Sequence, residues 1–143
     1  MPVFKPDALT DFAARVLEAA GATGKNARLV AESLVLSNLL GHDSHGVVLV
    51  VQYLAPIREG ELDPAAAPAI LQETGVLTKV DGCHGFGQVG AAFAMQTAIS
   101  KAQAYGLAAT GLINCNHVGR LGEWVQLAAD QGLIGLAFCS GGR

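Results

Sequence analysis

The chain has 143 residues, 51% of them apolar and only 15% charged, with a net charge of −3 at neutral pH. That is about one domain's worth of residues, and too apolar for a disordered tail. Lys and Arg are few and scattered, so nothing could neutralise a run of phosphates, which excludes a nucleic-acid partner.

The opening MPVFKPDALT lacks the basic-then-apolar order of a secretory signal. Over residues 7–20, Leu9, Phe12, Val16 and Leu17 recur at helical spacing, and Gly21 supplies a stop. Thr23 is placed to cap a second helix running to Leu40, with Leu29, Leu36 and Leu40 on or near one face and Gly41 just past its end. A third amphipathic helix follows through Val47, Val50, Val51, Leu54 and Ile57, with Pro56 tightening its last turn and Gly60 ending it. Its VVLVV run breaks off well short of the roughly 18 apolar residues that a membrane span requires, so no membrane partner is expected.

The Pro/Ala-rich ELDPAAAPAI reads as a connector and the best internal boundary. Strand-like runs follow near residues 70–73 and 76–80, and then a long Ala-rich helix over 87–105. Residues 107–114, 120–130 and 133–139 read as strand, helix and strand, an alternation that favours a parallel βαβ unit. Cys83, Cys115 and Cys139 are odd in number and never C-x-x-C, which suits a cytoplasmic protein with reduced thiols better than a disulfide framework or a zinc knuckle.

Two stretches draw attention as chemistry. Gly85, Gly87 and Gly90 spell G-x-G-x-x-G, but a dinucleotide site of the Rossmann kind needs a carboxylate about 20 positions on, at the end of the next strand. That strand ends in Ile113-Asn114-Cys115, and Asp81 and His84 intrude where a tight turn belongs. Close helix–strand packing is the better account of these glycines.

The second is GHDSHGV, where His42 and His45 flank Asp43 and Ser44 between two apolar segments. Asp43 or Ser44 could cap the third helix, though capping leaves the histidines unexplained. A metal site would need further ligands from His84, His117 or a cysteine, and no spacing supports that; no metal is expected. A catalytic account uses an imidazole, the side chain whose pKa lies nearest neutrality, at a position fixed by the backbone. It gains weight from NCNHVGR, where Asn116, His117 and Arg120 gather with Gly119 in a strand-to-helix turn. Such turns bind ligands in open α/β folds.

At these motifs the chain resembles the malate/L-lactate dehydrogenase family of NAD(P)-dependent, non-Rossmann oxidoreductases. The matching stretches are GHDSHGV with Tyr53 and REGEL, VDGCHGFGQVGAAFAMQTAISKA, and NCNHVGRLGEWVQLAADQGLIGLAFCSGG. The resemblance implies a serine–histidine relay at Ser44 and His45 completed by an aspartate, with His117 at a position assigned as proton acceptor in some members. It places Gly119, Arg120 and Leu121 near cofactor and substrate. It implies NAD or NADP as cofactor and a small 2-hydroxy or 2-oxo acid as substrate. Separately, the apolar run over 133–139 is expected to leave an open strand edge, so the chain is expected to self-associate, as a homodimer in the simplest case. Many relatives carry an arginine for the substrate carboxylate where this chain has Leu49; Arg58 and Arg120 are the available substitutes.

The expected fold is α/β and non-Rossmann, with a helical segment over residues 1–60 and a mixed sheet with packed helices over 61–143. Family members are more than twice as long, so the chain is expected to correspond to an N-terminal portion. The expected chemistry is hydride transfer at a hydroxyl-bearing carbon beside a carboxylate, with histidine acid/base catalysis. The alternative is a non-catalytic fragment or assembly partner that keeps only this half of the fold.

Overall fold

The computed structural model describes residues 3–140. Helix α1, Pro6–Ala19, starts with proline, whose fixed φ suits a first turn and whose missing N–H costs nothing there. Helix α2, Gly24–Leu39, is capped as expected: Thr23 Oγ1 accepts from the Asn26 amide at 3.2 Å. The faces that these helices bury differ from the expected leucine stripe. Ala13, Ala14 and Leu17 of α1 meet Ala27, Val30, Ala31 and Leu34 of α2, while Phe12, Leu36 and Leu40 are exposed. Small side chains allow two helices to approach closely around Leu17 and Leu34, while Leu36 and Leu40 lie off the seam.

Gly41, at φ +79°, ends the second helix region, and a 3-10 turn at Asp43–His45 leads into α3, Leu49–Glu59. Neither Asp43 nor Ser44 caps α3, which corrects the capping account. Its N-cap is Val48, with no side-chain bond. Asn38 of α2 organises the junction instead: Nδ2 donates to Asp43 Oδ1 at 2.6 Å, and Oδ1 accepts from the Val47 amide at 2.9 Å. Gly46 must be bare because a Cβ there would run into the Asn38 side chain.

The Pro/Ala connector is held down. Buried Asn26 donates from Nδ2 to the carbonyls of Pro64 and Ala66, each at 3.0 Å, and Leu62 is 2% exposed in the helical core. Strands β1, Ala69–Thr74, and β2, Leu77–Asp81, pair antiparallel, and β2 pairs parallel with β3, Ala109–Ile113, in the order β1-β2-β3. Helix α4, Gly87–Tyr105, makes the crossover between the parallel strands, and α5, Leu121–Ala129, follows β3. This is the mixed α/β architecture expected, with one shift: the parallel βαβ unit is β2–α4–β3, not the segment from 107 to 139.

Residues 133–139 join no ladder among the described residues, contrary to the expected strand. They keep a strand's alternation, with Ile134, Leu136 and Phe138 outward at 95%, 73% and 88% exposure. Gly135 packs on α5, where a Cβ would lie 2.9 Å from the Val125 carbonyl oxygen. Alternation prepares a segment for pairing, but a strand exists only where a neighbour takes its hydrogen bonds.

Candidate active site

The parallel pair sends its two following turns out from one edge of the sheet. Gly82 N–H donates to the Ile113 carbonyl at 2.8 Å and His84 N–H to that of Asn114 at 2.7 Å, so the two turns are sewn together. Asn116 adds its Nδ2, donating to the His84 carbonyl at 2.9 Å. The non-glycine residues with left-handed backbone, Cys83, His84 and Asn114 (φ 51°, 56° and 49°), all lie at this seam. Such conformations are costly and persist where surrounding structure holds them, often at functional sites.

The G-x-G-x-x-G turn is filled by protein. A Cβ on Gly87 would run into the backbone of Asn116 and His117, and one on Gly90 would meet the Leu112 side chain at 3.2 Å. The glycines let α4 press onto β3 and the turn after it, which is the packing account.

That close approach brings the 3-10 turn, the turn after β3 and side chains of α3 and α4 to one point. His117 and His45 lie with ring centroids 5.3 Å apart. Ser44 Oγ is 3.0 Å from His45 Nδ1. On the other side, Tyr53 Oη is 3.1 Å from His117 Nδ1, and Gln88 Nε2 donates to Tyr53 Oη at 2.7 Å. Phe86 braces the Tyr53 ring edge-on at 5.7 Å. Burial pushes the Tyr53 phenol up to about 12, against a smaller opposing effect of the Gln88 hydrogen bond. Burial, with the neighbouring His45 adding to it, holds the His117 pKa below the usual histidine value. Beside His117 opens a cleft of about 360 Å³, lined by Leu49, Gln52, Tyr53, Pro56, Leu62 and Asn116.

The sequence profile of the malate/L-lactate dehydrogenase family matches residues 4–143. The chain belongs to that family. It is 36% identical over 137 residues to hydroxycarboxylate dehydrogenase B of Escherichia coli O157:H7, covering 96% of this chain and 38% of that protein. Malate dehydrogenase from Entamoeba histolytica superposes with a TM-score of 0.87 at 34% identity, covering 92% of this chain and 37% of that one. Sulfolactate dehydrogenase from Methanocaldococcus jannaschii gives 0.87 at 31% identity, covering 91% and 38%. The chain thus spans less than two fifths of the length of these family members.

Within this family member, Ser44, His45 and His117 converge although they come from a 3-10 turn and a strand-to-helix turn far apart in sequence. His42 and His84 are exposed and stand outside the cluster. Among the described residues, no group of three or more His, Cys, Asp or Glu is arranged to hold a metal.

Gly119, Arg120 and Leu121 lead into α5 behind His117. Gly119 has φ +75°, and the space its Cβ would take is bounded by Gln88 and Ser33. Ser33 Oγ donates to Glu123 Oε2 at 2.7 Å, and burial raises the Glu123 pKa, with Ser33 and then Arg120 opposing. Arg120 Nε is buried with no hydrogen-bond partner among the described residues. An orphaned guanidinium donor fits an anionic oxygen, such as a phosphate or carboxylate.

Gln88 was hidden from sequence reasoning inside a glycine turn, and Tyr53 entered it only through resemblance. The available signal was polarity: Gln88 is the one polar side chain in the first two turns of α4, and its exposure is 0%.

Proposed function

We propose that the chain supplies the acid/base half of an NAD- or NADP-dependent dehydrogenase acting at the 2-hydroxy/2-oxo carbon of a small carboxylic acid. The observation that carries this reading is the meeting of His45 and His117 beside a cleft, in a chain of this family. His45 takes the hydroxyl proton in the oxidative direction and returns it in the reductive one. Ser44 orients the ring through Nδ1, leaving Nε2 as the working nitrogen. His117 borders the cleft and hydrogen-bonds the substrate oxygen. Bound NAD or NADP supplies the hydride acceptor or donor.

Gly119, Arg120 and Leu121 are the residues of this chain proposed to contact cofactor or substrate, with the orphaned Arg120 donor meeting an anionic oxygen. Leu49, Pro56 and Leu62 give the cleft apolar walls, so it suits the substrate's carbon substituent while the carboxylate is held elsewhere. The free thiols of Cys83, Cys115 and Cys139 fit a cytoplasmic setting. A homodimer is proposed through the outward Ile134, Leu136 and Phe138, with Leu136→Lys as probe in light scattering over a dilution series; a monomer at all concentrations refutes it.

The test is turnover. The purified 143-residue chain is expected to show negligible NAD(P)H-linked activity with malate, lactate or related acids, and the longest native chain containing it is expected to be active. Inactivity of that longer chain overturns the reading. A second reading is favoured by the chain spanning 38% of the hydroxycarboxylate dehydrogenase: a non-catalytic assembly partner that keeps the N-terminal half of the fold. Titration of NADH and NADPH with no binding, in a chain that associates with another subunit, would support it.

A further inference from the structure

The two histidines differ in what holds them, and the difference sets which ring nitrogen carries the proton. We propose that Gly119, Tyr53 and Gln88 form a positioning set that fixes neutral His117 with its proton on Nε2. His117 then offers the substrate oxygen a hydrogen-bond donor and leaves proton transfer to His45. The catalytic consequence rests on the dehydrogenase reading; the tautomer does not.

One hydrogen-bonding group beside His117 has a fixed role. The Gly119 backbone N–H can only donate, and it points at His117 Nδ1 at 3.3 Å. Tyr53 Oη reaches the same nitrogen at 3.1 Å. Because Gln88 Nε2 donates to Tyr53 Oη, the phenol's own O–H is free to turn to Nδ1. Nδ1 then faces two donors and must present its lone pair, so the ring proton sits on Nε2.

Turning the Gln88 amide over would reverse the chain, with Tyr53 donating to glutamine and Nδ1–H donating to Tyr53. That arrangement sets the Gly119 N–H against another N–H. It also places the amide NH₂ where Oε1 now lies buried without a partner. Orphaned buried donors are rarer than under-satisfied carbonyl oxygens, so the first arrangement wins.

The charged ring would escape this logic only by holding a proton on both nitrogens. Burial opposes that, and so does His45, which faces His117 from the 3-10 turn while Tyr53 faces it from α3. A neutral Nε2–H cannot accept a proton at that nitrogen. It can stabilise negative charge growing on the substrate oxygen as the O–H bond breaks and its proton passes to His45. His45, by contrast, meets Ser44 Oγ, a hydroxyl that rotates between donor and acceptor, so its tautomer is free to change during turnover.

Long-range ¹H–¹⁵N correlation spectra of the full chain test this without substrate, at about pH 8, where neutral imidazole dominates. His117 is assigned with a His117→Gln variant, and exposed His42 and His84 serve as references. The expected result is an unprotonated Nδ1 and a protonated Nε2 at His117. A protonated Nδ1, or a mixture like that of His42, overturns the proposal. In Tyr53→Phe and Gln88→Met the tautomer ratio is expected to fall about three- to tenfold, the effect of losing one modest hydrogen bond. No change in either variant removes Tyr53 and Gln88 from the positioning set. If a variant fails to fold, the wild-type spectrum still decides the tautomer. Absence of dehydrogenase activity would count against the function and leave this readout standing.

Discussion

His45 and His117 face each other, yet they are built in opposite ways. His45 rides on a short 3-10 turn whose neighbours are exposed, and its partner is the hydroxyl of the adjacent residue. The turn's shape depends on Asn38 reaching across from α2. His117 sits in a turn stitched to β2's turn by backbone hydrogen bonds, with a buried phenol at its Nδ1 and a buried amide bonded to that phenol. A group that must gain and lose a proton benefits from a partner that can reorient. A group that must present one donor at one place benefits from partners that cannot. On the proposed function, the two histidines would divide the labour along this structural difference.

The largest expected effect divides the two residues directly. In a chain that carries the proposed dehydrogenase activity, His45→Ala is expected to lower kcat roughly 10²–10⁴-fold with little change in Tm, as for a lost acid/base group. His117→Gln keeps an N–H donor and is expected to lower kcat less than His45→Ala does. If His117→Gln lowers kcat more than His45→Ala, the roles are exchanged.

Removing the phenol hydroxyl tests the rigid side. Tyr53→Phe leaves Gln88, at 0% exposure, without its hydrogen-bond partner, and is expected to cost about 1–3 kcal/mol in denaturant unfolding. A neutral result would mean that the amide finds another partner and that the phenol does not hold the set together.

The pH dependence of stability sharpens the same contrast. The folded pKa of His117 lies below its ordinary 6.5, so neutral His117 favours the folded state. That contribution is fully present above about 6.5 and is lost as pH falls through the lower folded value. Glu123 runs the other way: its raised pKa gives stability that is present below 4.5 and lost as pH rises through the folded value. The expected signature is therefore a difference: Tm of wild type minus Tm of His117→Gln should decline on acidification below about 6.5. A difference that does not move with pH removes burial of neutral His117 as a source of stability.

The smallest effects concern the flexible side. Ser44 is exposed and caps nothing, so Ser44→Ala is expected to stay within about 0.5 kcal/mol of wild-type stability while lowering kcat. Thr23→Ala, which removes a real cap, is expected to cost about 1 kcal/mol and leave kcat alone. Parallel melts and rate assays separate the two; a destabilised Ser44→Ala would restore a capping role.

Local rules carried much of the chain. Glycine and proline punctuation, a threonine cap and apolar periodicity placed the five α-helices and three strands of the described residues to within a few residues, because these signals act between near neighbours. The motif residues Ser44, His45 and His117 were also visible, since imidazole between apolar segments is conspicuous. What failed were statements that depend on a partner distant in sequence. Of the leucines expected to pack from α2, Leu29 borders the core but Leu36 and Leu40 are outward, because the buried face runs through Ala27, Val30, Ala31 and Leu34. Asp43 and Ser44 do not cap α3 because Asn38 reaches the junction first. Residues 133–139 have a strand's pattern, yet among the described residues no strand takes their hydrogen bonds. Only the tertiary structure brought Tyr53 and Gln88 behind His117, across 64 residues of sequence in the first case. A side chain's type limits what chemistry it can do, but which nitrogen of a histidine holds the proton depends on donors that folding delivers from elsewhere.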